Sequence, residues 1–179
     1  MKKRPSKTST LKRNSRPAAK SKTKKTVRRS SSGTDETKAI VRRWFEELWN
    51  QRNPGVLKDL LDPTAVGETE GGRISGHQEF LSKLHAPLIG AFPDLRVTLD
   101  DIVAEGENAA VRWTFEATHG GDSLGIPATN RRVKVSGMSW VKCRNGRLVA
   151  GWDRWNSHGL MSYLKDGTKS ATVRDSVDV

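Results

Sequence analysis

The chain has 179 residues and a formal net charge of +12, and the charge is concentrated at its start. Residues 1–34 contain 13 Lys and Arg and no Asp or Glu, whereas residues 35–179 contain 19 basic and 20 acidic residues. The near-neutral body excludes a folded domain that is basic throughout, and its roughly 145 residues can bury one ordinary core. The single cysteine, Cys143, excludes an internal disulfide and a cysteine-rich metal site. This fits a reducing compartment, and we expect a cytoplasmic location.

Residues 1–34 are predicted to form a disordered tail, because Lys, Arg, Ser, Thr and Pro bury too little apolar surface to offset the entropy of ordering. Two interpretations are open. A flexible polycation can bind nucleic acid or an anionic membrane without sequence preference by neutralising phosphates, with Lys24, Lys25, Arg28 and Arg29 as candidate contacts for nucleic acid. The alternative is a solubilising extension without a selected partner. No run in the chain approaches the roughly 18 apolar residues of a membrane helix.

Three helices and one short strand are predicted in the first half of the body. Between Ile40 and Trp49, apolar residues recur at spacings of three and four, which is typical of an amphipathic helix. Asn53-Pro54 is typical of a helix start, with Asn as the cap and Pro in the first turn. On the third helix we expect His77 and His85 to face solvent. The helices are predicted at residues 35–52, 53–61 and 75–90, and the strand at residues 64–68.

After Pro93 the apolar period changes to two, which predicts strands. Asn145-Gly146 predicts a two-residue hairpin between the last two strands. Helices segregated from an antiparallel sheet make an α+β domain. A curved sheet wrapped over the long first helix would form a cone with one apolar pocket. Strands are predicted at residues 95–104, 111–119, 132–144 and 148–156, a terminal helical turn at 159–164, and a frayed segment at 166–179.

Several segments resemble the SnoaL-like polyketide cyclase family, in order and in spacing. The first is Val41–Asn50, which resembles the family's first helix. The others are Ala91–Asp94, Ala117–Gly121, Gly125–Thr129, Gly146–Val149, Trp152–Asn156 and Gly159–Met161. The resemblance covers roughly residues 36–165, and we therefore expect one cone domain at residues 35–165.

The resemblance implies the nuclear-transport-factor-like cone: a curved antiparallel sheet packed on three helices. Cyclases of the family catalyse an intramolecular aldol condensation with no metal or organic cofactor, so we expect none here. The expected ligand is a small apolar or aromatic carbonyl compound. Sheets of this fold often pair face to face, which implies a homodimer.

Such a reaction requires a base that removes a proton beside a carbonyl and a donor that stabilises the enolate. In the family an Asp after the last strand's Trp serves as acid and base, and the matching position here is Asn156, which can donate a hydrogen bond but cannot take the proton. His119 is the expected base or orienter, the alternative being a histidine that caps the strand end. Asp153 is a further candidate, but alternation along a strand predicts that it faces away from Asn156, as a partner for Arg154 or solvent.

Tryptophan is frequent in the chain, with six residues. We expect Trp152 to line the pocket, because strand alternation places it on the face of Asn156. Trp113, Phe115 and Trp44 are further candidates for the pocket wall, and Trp44 and Trp113 fit an ordinary core equally well. The alternative function is a non-catalytic ligand-binding or dimerisation module that a basic tail brings to nucleic acid.

Overall fold

The structure, a computed structural model, describes residues 22–167, with side chains described from residue 33 onward. Helix α1 spans Lys22–Arg43 and continues as a π-helical segment, Trp44–Asn50. The backbone of residues 22–34 is thus helical where composition predicts disorder. Lys and Arg have favourable helix propensities, so a helix nucleated by its packed part can extend through them. Residues 1–21 lie outside the described part of the chain, and so does the predicted frayed segment from residue 168 onward. The side chains of the four candidate nucleic-acid contacts, Lys24, Lys25, Arg28 and Arg29, also lie outside it.

The helices and strands follow in the predicted order, with one additional strand, β2. A 3₁₀ turn at Pro54–Val56 leads into α2 (Leu57–Leu60). The predicted third helix consists of α3 (Gly76–Phe80), a second π-helical segment (Leu81–His85) and α4 (Ala86–Ala91). The strands are β1 (Leu61–Thr69), β2 (Gly72–Ser75), β3 (Arg96–Glu105), β4 (Asn108–Thr118), β5 (Arg132–Arg144) and β6 (Arg147–Trp155), and α5 (Ser157–Asp166) ends the described chain.

The strands form one curved sheet in the order β2-β1-β6-β5-β4-β3. The predicted α+β fold is therefore confirmed. The prediction of a purely antiparallel sheet is wrong at one pair, since β1 and β6 are parallel. No hairpin joins these two strands, so no tight turn forces them to run in opposite directions.

Two loops of the sheet depend on positive backbone φ angles. Asn145 and Gly146 have φ values of 51° and 75°, as a type I′ hairpin requires, which confirms the predicted turn between β5 and β6. Asn130 has a φ of 54°, the left-handed conformation that asparagine tolerates in the loop before β5.

The helices cover the inner face of the sheet and enclose the core. Leu48, Leu60, Phe92 and Leu164 are fully buried there. Thr37 Oγ1 donates a hydrogen bond of 2.8 Å to the carbonyl of Gly106, which fastens α1 to the β3–β4 hairpin. Within residues 22–167, no helix has the length and apolar character needed to span a membrane.

Candidate functional site

A cavity lies between the helices and the inner face of the sheet. It has two adjoining lobes, each with a volume of about 80 Å³. Of the residues that the structure describes, Asp153 is the one ionisable residue that lines them. Six residues line both lobes: Trp44, Phe45, Phe80, Leu84, Ser139 and Asp153.

The helical walls owe their shape to the two π-helical segments. Trp44 and Phe45 are neighbours in sequence, yet both line both lobes, and they begin the segment Trp44–Asn50. Phe80, directly before the second π-helical segment, and Leu84, within it, also line the cavity, and the rings of Trp44 and Phe80 lie 5.0 Å apart. π-Helical turns are rare and frequently occur at functional sites.

A chain of hydrogen bonds holds the carboxyl group of Asp153. The indole Nε1 of Trp113 donates to Ser139 Oγ at 2.8 Å. Ser139 Oγ in turn donates a hydrogen bond to Asp153 Oδ1. Oδ2 has no hydrogen-bond partner among the described residues, so one carboxylate oxygen is held and the other is not.

The environment of Asp153 favours its protonated form. Burial raises the pKa of Asp153, while the hydrogen bond from Ser139 and the charge of Arg154 lower it, and burial dominates. A carboxyl group with a raised pKa in an apolar cavity is suited to take up and release a proton.

The orientation of β6 corrects the predictions for Trp152 and Asp153. Asp153 faces the cavity, whereas Trp152 lies on the outer face of the sheet and is 37% exposed. The cause is a bulge: Cys143 pairs with Leu148 and Lys142 with Ala150, which leaves Val149 as an extra residue in β6. One extra residue moves every later side chain of a strand to the opposite face.

The other predicted wall residues do line the cavity. Trp44 lines both lobes, and Trp113 and Phe115 line one of them together with Trp155. Gly137 faces Trp113 across the β4–β5 pair, and a Cβ there would lie 2.4 Å from the indole. The glycine thus leaves room for the indole that reaches Ser139.

His119 is not among the residues that line the two lobes. Its side chain is fully buried against Phe92, with 5.5 Å between ring centroids. The backbone N–H of Thr129 donates to His119 Nδ1 at 3.2 Å, so in the neutral ring the proton resides on Nε2, which has no partner among the described residues. Burial also lowers the pKa of His119. The geometry supports the alternative of a histidine that closes the strand end.

Asn156 lies outside the two lobes as well. Its Oδ1 accepts a hydrogen bond of 2.7 Å from the N–H of Gly159, so it is the N-cap of α5. The structure therefore does not bring Asn156, His119 and Asp153 together. Ser139, which was not predicted, could have been found from the alternation of Val133, Val135 and Gly137, which places it on the inner face of β5.

A wider opening of about 290 Å³ adjoins the cavity and shares Leu84 with both lobes. Glu70 lines this opening, and its two oxygens accept hydrogen bonds from the N–H groups of Trp155 and Ser157. Although burial raises the pKa of Glu70, these hydrogen bonds lower it below its usual value.

The prediction that His77 and His85 face solvent is wrong for His85, whereas His77 is partly exposed. His85 is buried rather than solvent-facing, and its ring lies 5.1 Å from that of Trp49. The π-helical turn around His85 changes the face that a regular helix would expose. In the part of the chain that the structure describes, no three His, Cys, Asp or Glu side chains are grouped as metal ligands.

Known structures share this fold. A SnoaL-like polyketide cyclase from Jannaschia sp. CCS1 has 19% sequence identity and a TM-score of 0.68, covering 74% of this chain and 94% of its own. AclR from Streptomyces galilaeus, to which a hydroxylase activity is attributed, has 30% identity and a TM-score of 0.64, covering 73% of this chain and 96% of its own. TsrD from Streptomyces laurentii has 26% identity and a TM-score of 0.63, covering 73% and 96%. None of the curated proteins compared matches the chain.

The family assignment follows from the sequence as well as from the fold. The family model for the SnoaL-like polyketide cyclases matches residues 39–164, which include α2 to α4, most of α5, the whole sheet and the cavity. The chain therefore belongs to the SnoaL-like polyketide cyclase family.

Proposed function

We propose that the cavity binds a small carbonyl compound and that the carboxylate of Asp153 removes a proton from the carbon beside the carbonyl. The observation that carries this proposal is the placement of Asp153, which is partly buried where two apolar lobes meet, with one oxygen held by Ser139. Membership in a family of polyketide cyclases supports a small-molecule reaction of this kind.

The reaction follows from the groups that line the cavity. Ionised Asp153 takes the proton on Oδ2, and the substrate becomes an enolate. Trp44 and Trp155 line the cavity with indole N–H groups that have no hydrogen-bond partner among the described residues, and they can donate to the enolate oxygen. The enolate carbon then attacks a second carbonyl of the same molecule to form a carbon–carbon bond. Asp153 returns its proton to the new alkoxide, so no cofactor is consumed.

An exchange experiment tests the base without knowledge of the substrate. In D₂O, the enzyme should exchange the acidic C–H protons of 1-phenyl-2-butanone, which NMR follows directly. The Asp153→Asn variant should lose this exchange by about 10²-fold or more while it still binds the ketone. Asp59→Asn, a change of an exposed carboxylate in α2, is the matched control and should leave exchange unchanged. Binding without exchange in the wild type would instead support a non-catalytic ligand-binding module.

We also propose that the outer face of the sheet joins two copies of the chain. Val103, Met138, Trp140 and Trp152 are 67%, 58%, 50% and 37% exposed, and cross-strand pairs bring Trp140 beside Trp152. Solvent-exposed apolar patches of this kind mark interfaces. In a neighbouring row the order across the sheet is Asp101, Arg112, Met138 and Arg154, so a two-fold-related copy can place Asp101 opposite the second copy's Arg154.

Sedimentation of wild type and Trp140→Lys tests this interface. The wild type should sediment as a dimer, and the variant should dissociate, because an ammonium group at the centre of an apolar patch loses its hydration on association. A monomeric wild type at micromolar concentration would overturn the proposal.

We propose further that residues 1–34 bind nucleic acid. The segment has 13 basic residues, no acidic residue and no aromatic residue, so the binding depends on neutralising phosphates and not on base stacking. In the full chain, replacing Lys24, Lys25, Arg28 and Arg29 with Gln should weaken binding to mixed-sequence duplex DNA. The slope of log K against log salt should become shallower by up to about 0.9 for each phosphate that the variant no longer neutralises. Equal slopes for the two proteins would contradict a role for these four residues.

A further inference from the structure

His85 is buried beside the cavity without lining either lobe. It is the last residue of the second π-helical segment, Leu81–His85. Its ring centroid lies 5.1 Å from that of Trp49 and 6.3 Å from that of Phe80. Trp49 lines one lobe and Phe80 lines both, so His85 supports two rings of the cavity wall from outside the cavity.

A hydrogen bond joins His85 to the first π-helical segment. Its Nε2 lies 3.3 Å from the carbonyl oxygen of Leu48, and because a carbonyl oxygen only accepts, the ring nitrogen is the donor. The last carbonyls of a helix have no partner within the helix. The two carbonyls before that of Leu48 accept from backbone N–H groups, whereas the Leu48 carbonyl accepts from His85. The side chain of His85 therefore links the two π-helical segments.

The supported rings lead to Trp44, which the proposed reaction uses. The ring of Phe80 lies 5.0 Å from that of Trp44 and 6.1 Å from that of Trp49. Trp44 begins the first π-helical segment, and the carbonyl that His85 holds lies about one turn further along the same segment. Protein interiors are close-packed and transmit displacements, so a shift of one segment against the other would move the Trp44 indole.

Burial keeps the ring of His85 uncharged at neutral pH. It lowers the pKa of His85, and the hydrogen bond to Leu48, which raises the pKa, is the smaller effect. A neutral imidazole has one N–H group, and the contact with the Leu48 carbonyl places it on Nε2. His85 therefore acts at neutral pH as a donor to the backbone and not as a charge.

We propose that His85 is a positioning residue: its hydrogen bond to the Leu48 carbonyl fixes the spacing of the two π-helical segments, and with it the place of the Trp44 indole in the cavity. The proposal rests on the proposed function, in which Trp44 donates to the enolate oxygen. The placement of Trp44 can nevertheless be measured without any reaction.

Two variants separate the hydrogen bond from the space that the ring fills. His85→Phe keeps a ring but has no donor for the Leu48 carbonyl, whereas His85→Gln keeps an N–H donor. With 1-phenyl-2-butanone in D₂O at pH 7, His85→Phe should lower kcat for exchange about tenfold and change KM less than about twofold, because a misplaced donor loses transition-state stabilisation. His85→Gln should keep kcat within about threefold of the wild type. A normal kcat in His85→Phe, or the same loss in both variants, would overturn the proposal.

His77 in α3 offers a matched control. Its Nε2 lies 2.7 Å from the carbonyl oxygen of Leu61, but His77 lines neither lobe. His77→Phe removes a histidine–carbonyl hydrogen bond of the same kind, and it should lower Tm while kcat stays unchanged. A loss of kcat in this control as large as that in His85→Phe would overturn the proposal. If His85→Phe does not fold by circular dichroism, His85→Met replaces it, since methionine fills space without a donor.

The indole N–H signal of Trp44 reports its placement directly. In the NMR spectrum of ¹⁵N-labelled protein, Trp44→Phe identifies this signal by removing it. The signal should shift in His85→Phe and stay near its wild-type position in His85→Gln and His77→Phe. In a Trp44→Phe background, His85→Phe should lower kcat no further, because both changes disable the same donor. An unmoved signal, or fully additive losses of kcat, would overturn the proposal.

The two proposals fail separately. If the Trp44 signal moves in His85→Phe but no exchange depends on Asp153, the base assignment fails and the positioning role of His85 holds. If exchange depends on Asp153 but His85→Phe changes neither kcat nor the Trp44 signal, the positioning role fails and the base assignment holds.

Discussion

Replacing Asp153 with asparagine should abolish proton transfer and, at the same time, stabilise the fold at neutral and alkaline pH. The carboxyl group lies in an apolar cavity, where burial raises its pKa above the ordinary 3.8. The folded protein therefore disfavours the ionised form that the reaction requires. An amide of the same shape can accept the hydrogen bond from Ser139 without that electrostatic cost.

The difference in free energy of unfolding between D153N and the wild type depends on pH. Between pH 3.8 and the raised pKa, the unfolded chain has released a proton that the folded chain retains. Across that window, the free energy of unfolding of the wild type falls by about 1.4 kcal/mol for each unit of rising pH. Above the raised pKa the loss is constant. D153N lacks this slope, and each 1 kcal/mol corresponds to about 2–4 °C in Tm for a chain of this size.

Thermal unfolding of wild type and D153N between pH 4 and pH 9 measures the difference. It should increase with pH and level off at the pKa of Asp153 in the folded protein, and the rate of ketone exchange by the wild type should rise through the same pKa. Other groups titrate in both proteins, so their contributions cancel in the difference between the two free energies of unfolding. A stability difference independent of pH, or a rate that rises around a different pKa, would refute the reasoning.

Three further changes probe the groups around this site. Ser139→Ala removes a hydrogen bond that lowers the pKa of Asp153, so the pH–rate profile should shift to higher pH; an unshifted profile would contradict the role of Ser139. Gly137→Ala would bring a Cβ to 2.4 Å from the Trp113 indole, and urea unfolding should show a loss of about 1–3 kcal/mol. Burial lowers the pKa of His119, so below about pH 6.5 the unfolded chain binds the proton more readily and the wild type loses stability. Below that pH, the free energy of unfolding of His119→Gln should fall less steeply with decreasing pH than that of the wild type, by up to about 1.4 kcal/mol per pH unit. The same pH dependence in both proteins would contradict this role of His119.

The fold could be predicted because its signals are local. The amphipathic period before Trp49, the alternation after Pro93 and the Asn145-Gly146 hairpin each specify a local conformation, and each is found in the structure. The parallel pairing of β1 with β6 could not be predicted in this way, because these strands are far apart in sequence and no turn sets their direction.

The site was harder to predict, because its geometry depends on irregularities that local periodicity does not encode. Alternation along β6 correctly puts Trp152 and Asp153 on opposite faces, but it does not say which of the two faces the cavity, and Trp152 was placed there only because it shares a face with Asn156, which lies outside the cavity. The bulge at Val149 sets the face that each of them occupies. The candidates that regular spacing favoured, His119 and Asn156, have structural roles in closing a strand end and capping a helix.

Val149 tests whether the bulge determines the chemistry. It is the extra residue between Leu148 and Ala150, and its deletion would restore the register that the hairpin alone specifies. Asp153 would then turn to the outer face and Trp152 would turn into the cavity. We expect loss of ketone exchange, a normal carboxyl pKa for Asp153 by NMR titration, and altered tryptophan fluorescence. Val149→Gly keeps the residue count and should keep the exchange. A folded deletion variant that still exchanges protons would show that the face of β6 does not control the reaction.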